Sequence, residues 1–430
     1  MGLCASGATV AAEVEEALDV APVWAGHPVG FALLTSGNRQ FIAFYDAERR
    51  MTVADRTLGA SEWRLTRLPE RIGWDSHNYV TLCADDDGYL HLSGNMHCVP
   101  LIYFRSTTPW DASTLERIPA MTGANEKKVT YPRFLGGARD ELLFTYRDGS
   151  SGNGNQIYNV YDHAGKTWRR LLDRPLTSGG GKMNAYFNGP RRGPDGYFHL
   201  CWVWRDTPDC ATNHDLSYAR SKDLVHWETS SGAALALPIT IETGEIVDPV
   251  PPGGGIINGN TKLGFDSQKR PVISYHKFDD KGHTQIYNAR LEEGAWRIYQ
   301  VTDWDYRWEF SGGGAIVFEI ALGGVAPHGT GQLSQSYRHV KYGSGAWLLD
   351  ESTMKRVGVP AKRERYPRQL TAVESPFPGM GVKWAGDSGS SGEAGVRYVL
   401  RWETLPSHRD RPRKAPLPAP SMLRVYKLRD

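Results

Sequence analysis

A unit of four short predicted strands recurs along this chain, and this repeat limits the fold more than any other feature. Each copy begins with an apolar strand, turns at Asp or Gly, continues through two alternating strands and ends in a strand with Trp. In the second copy the run DDDG at 85–88 forms the turn, and Trp110 lies in the last strand. The seven copies cover residues 30–68, 79–119, 129–172, 184–229, 258–303, 313–354 and about 365–405.

Repeats of roughly 45–60 residues with four strands each are typical of the blades of a β-propeller. The sequence therefore predicts an all-β fold, a seven-bladed β-propeller, over residues 22–406. Residues 1–21 are expected to form an N-terminal extension, and residues 407–430 a basic, proline-rich C-terminal segment. A pair of β-sandwiches or an irregular β-solenoid is the alternative.

Composition and charge narrow the classes of function. The formal net charge of +2 gives no strong attraction to nucleic acid or to anionic membranes. No apolar run approaches the roughly 18 residues of a membrane-spanning helix. Five unevenly spaced cysteines indicate no disulfide framework, and the N-terminus has no readable signal peptide. We expect a monomer that neither spans a membrane nor binds nucleic acid.

Polar side chains recur at two equivalent places in successive units. In a propeller the first strand of a blade lines the axis and the second runs back, so the start of one and the end of the other share a face. The first-strand starts hold His27, His77, Tyr131, Tyr186 and Asn260. The second-strand ends hold Asp46, His97, Arg147, Arg205 and His276. Any one of these could make only a structural hydrogen bond or ion pair, but together they predict a pocket at the mouth of the axis.

These residue types suit β-elimination better than hydrolysis. The usual glycosidase needs two carboxylic acids that flank the bond it cleaves. Asp148 and Asp206 are the nearby carboxylates, and because each directly follows an arginine we expect them to be its ion-pair partner. In β-elimination beside a uronic acid carboxylate, the C5 proton is removed and the C4 oxygen leaves. An arginine can neutralise the carboxylate, and a tyrosine or histidine can take or return the proton.

Tyr131 and Arg147 are the pair on which this interpretation depends. They are expected at the same end of one hairpin, because one opens a strand and the other closes the next. A free tyrosine, with a pKa of about 10, is a poor base at neutral pH. We therefore expect Arg147 to lower the pKa of Tyr131.

Several segments resemble the BNR-repeat-containing family of propellers. They are 24–29 (WAGHPV), 75–79 (DSHNY), 93–97 (SGNMH), 130–134 (TYPRF), 146–154 (YRDGSSGNG) and 202–205 (WVWR). The resemblance covers residues 22–300 well and the last two units weakly. The family includes seven-bladed polysaccharide lyases, among them ulvan lyases and rhamnose–glucuronate lyases. It also includes an α-L-rhamnosidase branch that acts on arabinogalactan side chains.

The resemblance implies a polysaccharide lyase that cleaves a rhamnose–glucuronate type linkage. His77 and His97 are similar to the family's two histidines, Tyr131 to its catalytic tyrosine and Arg147 to its carboxylate-neutralising arginine. We expect His77, Tyr131 and Arg147 to be catalytic. The expected substrate-binding residues are His97, Tyr186, Arg205, His276 and Asn260.

Two other functions stay open. In an exo-acting α-L-rhamnosidase, His27 would be catalytic, since it is similar to the histidine on which that branch relies. A carbohydrate-binding propeller without catalysis is the third alternative.

The elimination requires no cofactor. Some family members carry a structural zinc or calcium ion, and the candidate zinc ligands here are Cys201, Cys210 and His214, although their spacing fits no standard motif. A secreted or periplasmic location follows only from the substrate class.

Overall fold

The computed structural model describes residues 12–361 and 364–430, and this part of the chain is almost entirely β-structure. In chain order the first strands are β1 (Glu13–Val23), β2 (Ala32–Ser36), β3 (Arg39–Tyr45), β4 (Arg50–Thr57), β5 (Arg64–Arg71), β6 (Val80–Ala84), β7 (Leu90–Gly94), β8 (His97–Val99), β9 (Tyr103–Ser106), β10 (Leu115–Arg117), β11 (Val129–Gly136), β12 (Leu142–Ser150), β13 (Asn153–Asp162) and β14 (Thr167–Arg170). 

The remaining strands are β15 (Asn184–Arg192), β16 (Phe198–Arg205), β17 (Asn213–Ser221), β18 (Trp227–Glu228), β19 (Glu245–Asp248), β20 (Lys262–Phe265), β21 (Pro271–Phe278), β22 (Thr284–Glu292), β23 (Ala295–Gln300), β24 (Ile320–Leu322), β25 (Ala326–Pro327), β26 (Gln332–His339), β27 (Gly343–Asp350), β28 (Arg356–Gly358), β29 (Gly381–Gly386), β30 (Val396–Thr404) and β31 (Ser421–Arg429). The 3-10 helices are Ala112–Thr114, Cys210–Thr212 and Arg368–Leu370. No helix among the described residues is long and apolar enough to cross a membrane.

The described strands form seven sheets of four or five strands, and the sheets follow the seven sequence repeats. The first six are β2–β5, β6 with β7, β9 and β10, β11–β14 with β8, β15–β19, β20–β23 and β24–β28. The all-β propeller fold is therefore confirmed. Strand β8 leaves the second repeat and pairs with β11, where His97 lies opposite Thr130.

The seventh sheet joins both ends of the chain, in the order β1–β31–β30–β29. This corrects the predicted boundaries at residues 21 and 406, because β1 and β31 lie inside the propeller. Strand β1 alternates between exposed and half-buried side chains, as a strand with one face on the core does. Its pairing with β31 joins residues about 400 apart, such as Ala17 and Tyr426, which a local pattern does not reveal. Residues 1–11, which carry most of the predicted extension, the N-terminal region judged for a signal peptide, and Cys4, lie outside the described residues.

Apolar side chains between neighbouring sheets form the core. The repeated tryptophans serve this packing, as predicted: Trp168 and Trp227 are buried, and Trp63 packs against the largest apolar cluster. Full burial of one such large apolar side chain contributes about 1.5–3 kcal/mol. The repeated tryptophans are therefore explained by stability alone.

The connection between β30 and β31, residues 405–420, crosses one face of the propeller. Arg409 donates its backbone N–H to the carbonyl of Ala315 at 3.0 Å. The Asp410 carboxylate accepts from the backbone N–H of Ser76 at 3.0 Å and of Ala315 at 2.6 Å. Ser76 precedes the second sheet and Ala315 precedes the sixth. The connection therefore joins loops from distant blades.

Candidate active site

Tyr131 lies on an irregular stretch of β11. The pairing of β11 with β12 breaks between Thr130 and Arg133, and Tyr131 has a φ of +59°. This left-handed conformation is uncommon for a bulky residue and costs energy. Such strain concentrates at functional sites, and a bulge re-aims the side chain that carries it. The side chain of Tyr131 therefore does not follow the regular alternation of side chains along a strand.

Arg147 lies at the same end of this hairpin as Tyr131, opposite Thr130, as predicted, and it is 1% exposed. Its guanidinium donates to Thr130 Oγ1 at 3.0 Å, to Cys98 Sγ at 3.3 Å and to the Tyr186 hydroxyl at 3.4 Å. The guanidinium carbon lies 5.0 Å from the centre of the Tyr131 ring. Its Nε is buried and has no partner in the described part of the chain.

The carboxylates that follow the two arginines are not their ion-pair partners, so this prediction is wrong. Asp148 accepts from Asn125 Nδ2 at 2.9 Å, and Asp206 bonds to His214 Nε2 at 3.0 Å. Neighbours in a strand point to opposite faces, so Asp148 in β12 faces away from Arg147, while Asp206 lies just beyond the end of β16. Within the described residues, Arg147 has no carboxylate to neutralise it. A buried cation without a counter-ion is costly, and an anionic ligand would relieve that cost.

Burial raises the pKa of Tyr131 well above its ordinary value of 10.0, the nearby Tyr186 raises it further, and Arg147 opposes both. The predicted lowering is therefore wrong in its net direction. The arginine acts as expected, but removal of the phenol from water outweighs it. Tyr131 is protonated at neutral pH and suits proton donation.

His77 and His97 share one carboxylate, that of Asp75. His77 Nδ1 lies 2.6 Å from Asp75 Oδ1, and His97 Nδ1 bonds to Asp75 Oδ2. The two imidazole rings are 4.4 Å apart, and the His77 ring lies 5.7 Å from that of Tyr131. Burial opposes ionisation of Asp75, but hydrogen bonds from His77 and His97 outweigh it and hold the pKa of the carboxyl well below its usual range. An ionised Asp75 accepts both Nδ1–H groups, which leaves Nε2 of each ring as the base.

Asp75 is not among the predicted site residues, although it lies in the segment DSHNY. The signal was local: its carboxylate also accepts the backbone N–H of His77 at 2.9 Å. Aspartate bonds its own backbone two residues on in this way.

Asp75, His77 and His97 are also the one group in the described residues whose ligand atoms, all within 4.8 Å of one another, could hold a metal ion. Ligands of a tetrahedral zinc at about 2.0 Å would lie roughly 3.3 Å apart. The 2.6 Å between His77 Nδ1 and Asp75 Oδ1 fits a hydrogen bond better.

The suggested zinc ligands do not form such a group. Cys201 Sγ lies 3.9 Å from the carbonyl of Asn188, while His214 is held between Asp206 and Asp215.

A cavity of about 300 Å³ opens beside the Tyr131–Arg147 hairpin. Its wall includes Tyr79, Tyr131, Arg133, Arg147, Tyr158 and Tyr186. None of its lining residues is Asp or Glu, whereas two are arginines. Arg133 is exposed and donates to the carbonyl of Gly189 at 2.8 Å. The cavity therefore favours an anionic ligand.

Tyr186 lies in this cavity, as predicted, and its hydroxyl bonds to Ser151 Oγ at 2.6 Å. Arg205 lies behind it, with its guanidinium carbon 5.4 Å from the Tyr186 ring. The Arg205 Nε donates to the carbonyls of Thr207 and Asp209 at 3.1 and 3.2 Å. Arg205 therefore holds its own loop rather than lining the cavity.

The remaining predicted residues, and also His77 and His97, are not among the residues that line the cavity. Asn260 is 2% exposed and ties two blades together, with Nδ2 donating to Ile320 O at 3.1 Å. His276 is 1% exposed under Trp308, at a ring distance of 5.2 Å. Asp46 accepts a hydrogen bond from Arg67 Nε at 2.9 Å, and this bond has a structural role. The repeat register did not predict the depth at which Asn260 and His276 are buried.

His27 is 3% exposed and accepts from Trp24 Nε1 at 2.9 Å through Nδ1. Burial lowers the pKa of His27 to about 4, Arg49 lowers it as well, and Asp410 and Asp75 oppose them. The His27 ring lies 5.7 Å from the ring of Trp74, the residue before Asp75, so His27 is on the side of the propeller that carries His77. It is absent from the cavity wall.

The model of the BNR repeat-containing family matches residues 39–304, which is more than half of the 430 residues. No curated protein sequence matches the chain significantly.

Three solved structures share its fold over nearly the whole chain. The polysaccharide lyase Uly1 is similar with a TM-score of 0.64 and 13% identity, over 97% of this chain and 99% of that chain. A PL25 ulvan lyase is similar with a TM-score of 0.59 and 14% identity, over 94% of each chain. The PL25 ulvan lyase bound to -[GlcA(1-4)Rha3S]- gives a TM-score of 0.58 at 14% identity, also over 94% of each chain.

Proposed function

This chain belongs to the BNR repeat-containing family, and from that membership and the geometry of its cavity we propose that it is a polysaccharide lyase that cleaves a uronic-acid-containing glycan by β-elimination. One observation carries the proposal: a buried arginine without a carboxylate partner in the described residues faces a cavity without acids. A uronate carboxylate is the ligand that such a site would pair with. 

Arg147 is the residue that neutralises the uronate. Pairing with the carboxylate reduces its negative charge and stabilises the enolate-like charge that develops when the C5 proton leaves. His77 is placed to take that proton on Nε2, because Asp75 holds its Nδ1–H.

Tyr131 completes the step as the acid. The electrons of the C5–H bond form the C4–C5 double bond while the C4–O bond breaks, and the leaving oxygen takes the phenolic proton. The imidazolium of His77 then returns its proton to the tyrosinate, whose ring is 5.7 Å away. Arg147 supports the tyrosinate meanwhile, since its charge favours the ionised phenol.

The proposed substrate class also includes the sugar that is linked to the uronate. One of the similar lyases is bound to -[GlcA(1-4)Rha3S]-, and we propose a glucuronate–rhamnose linkage for this chain as well. Arg133, exposed at the cavity wall and without an ion pair in the described residues, suits a second anionic group such as a sulfate ester.

The test is product analysis with sulfated and unsulfated glucuronate–rhamnose polysaccharides. We expect ultraviolet absorbance from a C4–C5 unsaturated uronate and products one water lighter than those of hydrolysis. Free rhamnose without an unsaturated product would instead indicate the rhamnosidase, for which His27→Ala should abolish activity and Tyr131→Phe should spare it. Binding without any product would indicate a non-catalytic propeller.

A further inference from the structure

The Asp410 carboxylate joins three segments that are far apart in the chain. Its Oδ1 accepts from the Ser76 backbone N–H at 3.0 Å and from Ser76 Oγ at 2.6 Å. Its Oδ2 accepts from the Ala315 N–H at 2.6 Å. The same Oδ2 lies 3.4 Å from His77 Nδ1, so a residue of the C-terminal connection reaches the proposed base.

The backbone around Asp410 is shaped to place this carboxylate. Arg409 and Asp410 have consecutive φ values of +55° and +56°, a conformation that costs energy in residues other than glycine. Opposite them, a Cβ on Gly314 would lie 2.4 Å from the Arg409 carbonyl, so only glycine fits there. The Arg409 guanidinium also donates to the carbonyls of Ser311 and Gly313.

The Asp75 carboxylate serves two imidazoles. Its Oδ1 faces His77 and its Oδ2 faces His97. The charged and titratable groups close to His77 are Asp75, Asp410, His97 and Tyr131. A second carboxylate on the Nδ1 side resists rotation of the ring.

We propose that Asp410 is a positioning residue of the active site: it anchors the turn at Ser76 and fixes the His77 ring, which lies 5.7 Å from the ring of Tyr131. The connection at 405–420 is thereby part of the site. The catalytic consequence rests on the proposed lyase function, whereas the coupling between Asp410 and His77 does not.

The experiment compares the full-length chain with Asp410→Asn by two independent measurements. Asparagine keeps an oxygen for Ser76 but loses the charge beside His77. By proton NMR, with resonances assigned through His77→Gln, the His77 ring protons should change in chemical shift, because the ring loses its second carboxylate. In the lyase assay kcat should fall by about 10-fold or more, the scale seen when the partner that orients a histidine is lost, with KM changed less than about 2-fold.

Arg411→Gln is the matched control, because Arg411 is exposed in the same connection and should leave both measurements unchanged. If Asp410→Asn does not fold, Ser76→Ala removes the 2.6 Å hydroxyl bond and should lower kcat. Unchanged His77 resonances and an unchanged kcat in Asp410→Asn, or an unchanged kcat in Ser76→Ala, would overturn the proposal. Absence of lyase activity with shifted His77 resonances would overturn only the proposed function.

Discussion

At the scale of single residues, the cavity combines a cation that has no counter-ion among the described residues with a phenol that keeps its proton. Both groups are affected by burial. Arg147 is 1% exposed and bonds only to neutral groups among the described residues. Burial is also the largest cause of the raised pKa of Tyr131. A group held protonated and close to a cation is suited to donate its proton as negative charge develops nearby.

Tyr131→Phe removes the proposed proton donor while keeping the aromatic ring in the cavity. We expect kcat to fall about 10²- to 10⁴-fold, the usual contribution of an acid or base group, with little change in the melting temperature. Steady-state kinetics on the glucuronate–rhamnose polysaccharide measure this. Tyr158→Phe, at the same cavity wall, is the matched control and should lose far less activity. Equal losses in both variants would argue against the acid role of Tyr131.

Arg147→Met tests whether Arg147 is needed for activity and not for the stability of the fold. Activity should disappear, because the uronate carboxylate is no longer neutralised. The free energy of unfolding should not decrease, since an apolar side chain of similar volume replaces a buried charge without a counter-ion. Urea unfolding and the ultraviolet assay provide the two measurements. A loss of several kcal/mol of stability would mean that the bonds to Thr130, Cys98 and Tyr186 make Arg147 a structural residue.

At the scale of elements, two strands place the site in ways that the repeat alone did not predict. Strand β8 carries His97 across to the third sheet, where it pairs beside the bulge that presents Tyr131. Strand β1 completes the seventh sheet, so that β31 is not left as an open edge. An unpaired edge is prone to aggregation.

Leu18→Asp tests the closing strand. Leu18 is half-buried in β1 and packs against the largest apolar cluster, so a charge there should destabilise the protein by about 1–3 kcal/mol. Asp19→Asn is the matched control on the exposed face of the same strand, where its ion pair with Arg424 is worth about 1 kcal/mol at most. Thermal unfolding should show a lower melting temperature for Leu18→Asp. Equal melting temperatures would mean that β1 contributes little to closure.

At the scale of the whole molecule, three histidines buried in different blades make stability depend on pH. Burial lowers the pKa of His27, His276 and His339 to about 4, below the ordinary value of about 6.5. As the pH falls, these histidines are therefore protonated at a higher pH in the unfolded chain than in the folded protein. This part of the stability is present above about pH 6.5 and is lost as the pH falls towards 4.

We expect the free energy of unfolding in urea to be lower at pH 5 than at pH 7. His276→Leu should reduce this difference by roughly 1–2 kcal/mol, because neither ring nitrogen of His276 has a hydrogen-bond partner in the described residues. The exposed His328 offers a control, since His328→Leu should leave the difference unchanged. A stability that stays constant between the two pH values would contradict the expectation.

The amino-acid sequence by itself determined the repeat, the strands and the residue types at the end of each hairpin. Period-two alternation and turn residues are local properties, so the blades and the placement of Tyr131 near Arg147 followed from them. The segment DSHNY also contained the local bond between Asp75 and His77, although it was overlooked.

Only the tertiary structure decided which of these polar residues reach the cavity and in which protonation state. Alternation assigns a face of a strand but not its depth, so Asn260 and His276 were expected in the pocket and are buried beside it. The direction of the Tyr131 pKa depends on burial that many blades create together. The meeting of Asp410 with Ser76 spans 334 positions, and such contacts arise only when the ring of blades closes.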